Sequence, residues 1–173
     1  MGQAETAQLG YEALEMYGFS LEYPDIWEVE LRPGSTSSAG DVAFKTRGIR
    51  FFLTWGPLEE NRSKFGTLDH QAQESLKKIK KSGDVRRLEV LDHKDMKVNG
   101  HRSIFNSVKL SLGTGLMAMK TVRREVYSLH LYCEPSQRFF VLYANGAGEG
   151  ALKSVSEVFF LMSSTLRCHS QVV

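Results

Sequence analysis

The side chains best suited to chemistry fall in three places along the chain. Lys77, Lys78, Lys80 and Lys81, followed by Arg86 and Arg87, form the densest run of charge. Cations packed this closely can hold phosphate groups or the carboxylates of an acidic protein surface. A second group is Asp92, His93 and Asp95, with His101 beyond the Asn99-Gly100 pair. These are the residue types of a metal or acid–base site, the chemistry of a hydrolase. The third is Cys168-His169, a nucleophile type beside a base type, with Cys133 the one other cysteine.

Each group also has a plainer account. Lysines in the last turns of a helix suit the negative end of its dipole. No aromatic residues interleave with them, as they do in single-strand nucleic-acid binders, so nucleic acid is not the expected partner. Asp92, His93, Asp95 and His101 also fit the polar end of a hairpin. Catalytic Cys–His pairs meet through folding rather than by adjacency. The spacing of Cys133 and Cys168 matches no zinc motif, and two cysteines are too few for a disulfide scaffold. A single bridge between them stays open, because a final helix can bring Cys168 back to the strand of Cys133. There is no Gly-x-Ser-x-Gly elbow, and the glycines at 146, 148 and 150 precede a helix but lack a phosphate-binding lysine. No catalytic, cofactor or metal set is therefore expected. The candidate partner or anion site is Lys77, Lys78, Lys80, Lys81, Arg86 and Arg87.

Secondary structure must place these groups. Thr67 is a natural N-cap for a helix over residues 67–81, with Asp69 in its first turn and Leu68, Ala72, Leu76 and Ile79 on one face. Three strands follow, over residues 86–93, 101–110 and 121–133, the first two joined by a tight Asn-Gly turn. In the third, Tyr127, Leu129, Leu131 and Cys133 share one face, opposite Arg124, Val126, Ser128 and His130. A nearly all-apolar strand spans 139–144, and an amphipathic helix spans 151–166. Upstream, residues 19–23, 27–31, 42–46 and 49–55 read as strands. Residues 32–40 and 58–66 read as loops, and residues 4–17 as a short helical extension with an imperfect stripe of Leu9, Ala13, Leu14 and Met16. Phe51, Phe52, Trp55, Tyr127, Tyr132, Phe139, Phe140 and Tyr143 are expected to pack the core.

The chain of 173 residues carries a net charge of +2, with 42 % hydrophobic and 24 % charged residues. That describes a single globular domain, residues 1–173, large enough to fold without a metal or disulfide. No leader and no apolar run long enough to cross a bilayer is visible, so a cytoplasmic protein without membrane contact is expected. The element order and short turns predict an α+β fold.

One stretch is more distinctive. Tyr17-Gly18-Phe19-Ser20-Leu21-Glu22-Tyr23-Pro24-Asp25-Ile26-Trp27 resembles the opening motif of the Mog/PsbP-like superfamily, an aromatic strand followed by Pro-x-x-Trp. The strand at 49–55 ending in Gly-Pro, the Asn-Gly-His of 99–101, the strand at 138–143 and the terminal helix with Ser163-Ser164 fit the same order. That superfamily includes the extrinsic PsbP protein of photosystem II and a nuclear import factor that binds the GTPase Ran. The resemblance implies an α/β/α sandwich, with a central antiparallel sheet flanked by helices. It also implies a non-enzymatic protein-binding or assembly module. The alternative is a small-molecule or anion-binding domain, with a hydrolase behind it. No residue role transfers from the resemblance.

Overall fold

The computed structural model describes residues 9–146 and 152–170, apart from the side chains of Ala118 and residues 152–154. Among these residues, nine strands and three helices form an α+β sandwich: β1 (Tyr11–Met16), β2 (Phe19–Pro24), β3 (Glu28–Leu31), β4 (Gly40–Thr46), β5 (Ile49–Pro57), α1 (Leu58–Phe65), α2 (Leu68–Lys80), β6 (Val85–Val98), β7 (His101–Thr114), β8 (Lys120–Cys133), β9 (Arg138–Asn145) and α3 (Leu152–Thr165). Seven strands make one sheet in the order β3-β4-β5-β9-β8-β7-β6, every pair antiparallel. Strands β1 and β2 form a separate antiparallel hairpin.

The period of two in the central strands decides which helix covers which face. Tyr127, Leu129, Leu131 and Cys133 of β8 join Phe51, Leu53 and Trp55 of β5 and Phe140, Leu142 and Ala144 of β9 in one apolar cluster. Val155, Val158, Phe159 and Met162 of α3, with Phe19 and Leu21 of β2, close over it. Rings pack edge to face within it, as at Trp27 and Phe51, whose centroids are 4.9 Å apart. The motif tryptophan is thus buried, and Pro24 O accepts the Trp27 N–H across the turn.

On the opposite face lie α1 and α2. Leu68 and Ala72 pack on Ile104 and Tyr132, while Leu76 and Ile79 pack on Val108, Leu110 and Val126. Thr67 caps α2 as its sequence suggests, its Oγ1 accepting the His70 N–H at 3.1 Å. Asn99 and Gly100 both take positive φ, 45° and 85°, the requirement of the tight turn that joins β6 to β7.

Two expectations fail. Of the helical extension over residues 4–17, the first five residues lie outside those described, and Tyr11–Met16 is a strand. Tyr17 and Gly18, with φ of 50° and 76°, form a two-residue turn that returns this strand along β2. Leu14 and Met16 alternate inward onto the core, so the apolar residues there follow a period of two rather than a helical stripe. Within the stretch 58–66, Leu58–Phe65 is helix α1 rather than a loop, and Gly66 caps it. Its buried face is only Leu58 and Asn61, too little apolar signal for the pattern to show. Asn61 is held by the Tyr132 hydroxyl, which donates to its Oδ1 at 2.7 Å. Of the glycines at 146, 148 and 150, all but Gly146 lie outside the described residues.

Candidate functional site

The structure separates the candidate cations. Lys77, Lys78, Lys80 and Lys81 line the last turn and cap of α2, while Arg86 and Arg87 begin the edge strand β6. All six are exposed. Lys77 is paired with Glu74 at 2.6 Å, and Arg86 donates to Thr121 Oγ1 at 3.4 Å. Lys77, Lys78 and Lys81, with Lys64 of α1, border a groove of about 530 Å³ between α2 and the sheet. Lys80, Arg86 and Arg87 do not line it.

The floor of this groove is polar. His130 is 1 % exposed, and neither ring nitrogen has a hydrogen-bond partner. Gln71 Oε1, on the facing side of α2, is equally unpartnered. Burial disfavours the imidazolium, and the nearby His93 adds to this, so the His130 pKa drops from 6.5 to about 4. A second groove continues past Ile79 to Asp84, Val85, Leu112 and Arg124. Two residue pairs beyond Leu112 and Val122, the β7–β8 hairpin ends in a single 3-10 turn, Leu116–Ala118. There Leu116, Met117 and Met119 are 89, 88 and 83 % exposed.

The acid–base candidates do not converge. His93 lies across from Asn106, its Nδ1 2.5 Å from the Asn106 Oδ1. Asp92 pairs with Lys94, and Asp95 with Arg102. Arg102 also donates to both carboxylate oxygens of Asp69, at 2.9 and 3.0 Å, and so holds that carboxyl below its usual range. His101 is opposite Val98 in the register, and its side chain belongs to the other face of the sheet. Arg123 is exposed, and Arg124 is half-buried at the groove.

That other face holds a cluster the spacing did not reveal. Both cysteines are free and buried. One ligand atom from each of His101, Cys133, Cys168 and His169 lies within 4.8 Å of all the others. His169 Nδ1 is 3.4 Å from Cys133 Sγ and 3.5 Å from Cys168 Sγ. A hydrogen bond from Cys168 holds the Cys133 thiol below the ordinary range, and the same bond, with burial, pushes Cys168 up. Arg138, buried beside them, donates to Cys168 O at 3.2 Å, Tyr17 O at 2.9 Å and Ser37 O at 3.1 Å. Its guanidinium lies over the rings of Phe19 and Phe140. The signal that could have found the cluster was strand parity: the β7–β8 register, carried two positions past Ser103 and Leu131, sets His101 opposite Cys133.

A seven-stranded antiparallel sheet with a hairpin and one helix on one face, and two helices on the other, is the Mog/PsbP-like fold. Solved structures show the same architecture across nearly the whole chain. Cyanobacterial PsbP (CyanoP) from Synechocystis sp. PCC 6803 superposes with a TM-score of 0.64 at 14 % identity, covering 96 % of each chain. The Ran-binding protein Mog1p of Saccharomyces cerevisiae gives 0.61 at 7 % identity, covering 94 % of this chain and 97 % of that one. A protein of unknown function from Pseudomonas aeruginosa, PA94, gives 0.51 at 10 % identity, covering 91 % of this chain and 96 % of that one. No family model matches the sequence, and no curated protein matches it. Among the described residues, no helix is long and apolar enough to cross a membrane.

Proposed function

We propose that the chain is a non-enzymatic protein-binding or assembly module that docks an acidic partner along the α2 face. The carrying observation is a lysine-bordered groove that runs toward an exposed apolar hairpin tip. Lysines alone serve a small anion equally well. Leu116, Met117 and Met119 beyond the groove add an apolar anchor that a phosphate cannot use and a protein surface can. Unpartnered His130 nitrogens and Gln71 Oε1 supply polar groups at the floor. The Ran-binding activity of Mog1p supports the reading as a precedent on the same fold. We take the compartment to be the cytoplasm, with both thiols reduced.

The test is a quantitative affinity capture from native extract with three baits. These are the wild-type chain, a Lys77→Glu/Lys78→Glu/Lys81→Glu variant and a Leu116→Asp/Met117→Asp variant. A partner retained by wild type and lost with both variants supports the reading. A partner retained by both refutes it. The alternative, a small-molecule or anion binder, rests on the same groove. It gains if phosphate or nucleotide raises the Tm of wild type and of the hairpin variant, but not of the lysine variant.

A further inference from the structure

We propose that His101, Cys133, Cys168 and His169 form a structural zinc site. The argument begins with placement. Cys133 ends β8 and His101 begins β7, neighbouring strands in mid-sheet. Cys168 and His169 follow α3 on a segment held at several points. Ser20 and Arg167 exchange backbone hydrogen bonds at 2.9 and 2.8 Å. Arg138 donates to Cys168 O, and Asn99 Nδ2 donates to Leu166 O at 2.6 Å. All four ligands thus stand on, or are tied to, regular structure, as a preorganised site requires.

The distances fit the metal. Zinc binds thiolate sulfur at about 2.3 Å and imidazole nitrogen at about 2.0–2.1 Å, so a tetrahedral site has S···N edges of about 3.5 Å. The two edges from His169 Nδ1 are 3.4 and 3.5 Å. The remaining ligand pairs all lie inside 4.8 Å, within a short inward shift of tetrahedral contact. The rings of His101 and His169 stand 5.2 Å apart at 88°, so they do not stack across the space between the ligands.

The donor chemistry narrows the choice. Two sulfurs and two imidazoles suit zinc, whereas calcium and magnesium take oxygen ligands. Two thiolates neutralise a divalent ion, so the occupied site carries no net charge into the core. With four protein ligands the site is closed, which marks a structural rather than a catalytic ion. It lies on the α3 face, away from the groove under α2, and pins the segment after α3 to the sheet.

The experiment uses the full chain, stripped of metal by a chelator under reducing conditions and titrated with Zn²⁺ and Co²⁺. The expected result is one equivalent bound and a raised Tm. Co²⁺ should give the visible bands of tetrahedral coordination with a thiolate charge-transfer band. Cys133→Ser, Cys168→Ser, His101→Ala and His169→Ala should each weaken binding by about 100-fold or more, beyond the range of about 10–100-fold that loss of an outer-shell partner costs. The Co²⁺ spectrum of the wild-type chain needs no variant to fold, so it stands as an independent readout. Absence of binding by the reduced wild-type chain would overturn the proposal. So would an octahedral Co²⁺ spectrum, or equal binding by a folded Cys133→Ser/Cys168→Ser double variant. A Cys133–Cys168 disulfide that resists reduction would overturn it as well.

Discussion

The two faces of the sheet are built on different principles. Under α3 the side chains are aromatic and aliphatic, and Phe44, Phe51, Leu53, Phe140 and Phe159 are fully buried. Under α2 the packing residues Leu76, Ile79, Leu88 and Tyr143 are only partly buried, and Asn61, Gln71, Asn106 and His130 take core positions. Close packing holds a fold together, whereas buried polar atoms without partners weaken it. The contrast teaches that stability is concentrated on one face, which leaves the other able to keep an imperfectly satisfied groove. The apolar face has polar exceptions of its own: the buried serines Ser103, Ser107 and Ser163, and Arg138 with its cysteine and histidine neighbours, a polar island at the end of β8.

The sharpest way to break this contrast is to truncate one apolar residue on each side. Phe159 touches the rings of Phe51, Phe105, Tyr127 and Phe160. Phe159→Ala should cost about 3–5 kcal/mol, the range for a lost core aromatic. Ile79→Ala, half-buried at the groove, should cost about 1 kcal/mol. Urea unfolding of the two variants gives both values. Equal losses would mean that both faces carry the fold alike.

A pH titration sharpens the same point. Above pH 6.5 His130 is neutral in both folded and unfolded chains and contributes nothing to the pH dependence. Below that, the unfolded chain takes up a proton that the folded chain refuses until about pH 4. Stability therefore falls as pH drops from 6.5 to 4, by up to about 3 kcal/mol from this residue. Asp69, held below the usual carboxylate range by Arg102, gives up its share of stability only at still lower pH. The difference between wild type and His130→Leu isolates the His130 share. The variant should lose that part of the acid slope and be no less stable than wild type at pH 7, since leucine leaves no unpartnered nitrogen. An unchanged slope would show that His130 is solvated from the groove.

Much of this was legible beforehand, and the reasons differ by element. The alternation at 127–133 is strong because β8 lies between two neighbours and has a distinct environment on each side. Thr67 and Asn99-Gly100 are local signals with local causes, so they read correctly. Strand β1 was missed because it pairs only with β2, outside the main sheet, and buries little beyond Leu14 and Met16. Helix α1 was missed because one of its two buried residues is Asn61, polar yet satisfied by Tyr132. The Cys133–His169 cluster draws on β7, β8 and the segment after α3, and no local spacing rule covers ligands so far apart in sequence. The lysines were visible as a cluster, but only the fold divides those at the groove from Lys80, Arg86 and Arg87.

The smallest expected effect is also a demanding test. Lys78 and Lys81 are exposed at the C-terminal end of α2, where they favour the helix dipole and face the groove. If the α2 face is a working surface rather than a structural one, Lys78→Glu/Lys81→Glu should change stability by no more than about 0.5 kcal/mol. Any loss should shrink further as salt screens the dipole interaction. Partner capture, by contrast, should fall steeply. Chemical unfolding at low and high salt, beside the capture measurement, separates the two quantities. A large loss of stability that salt does not relieve would mean that these lysines brace the fold. The α2 face would then be a second core with a charged edge, and the division of labour between the two faces would disappear.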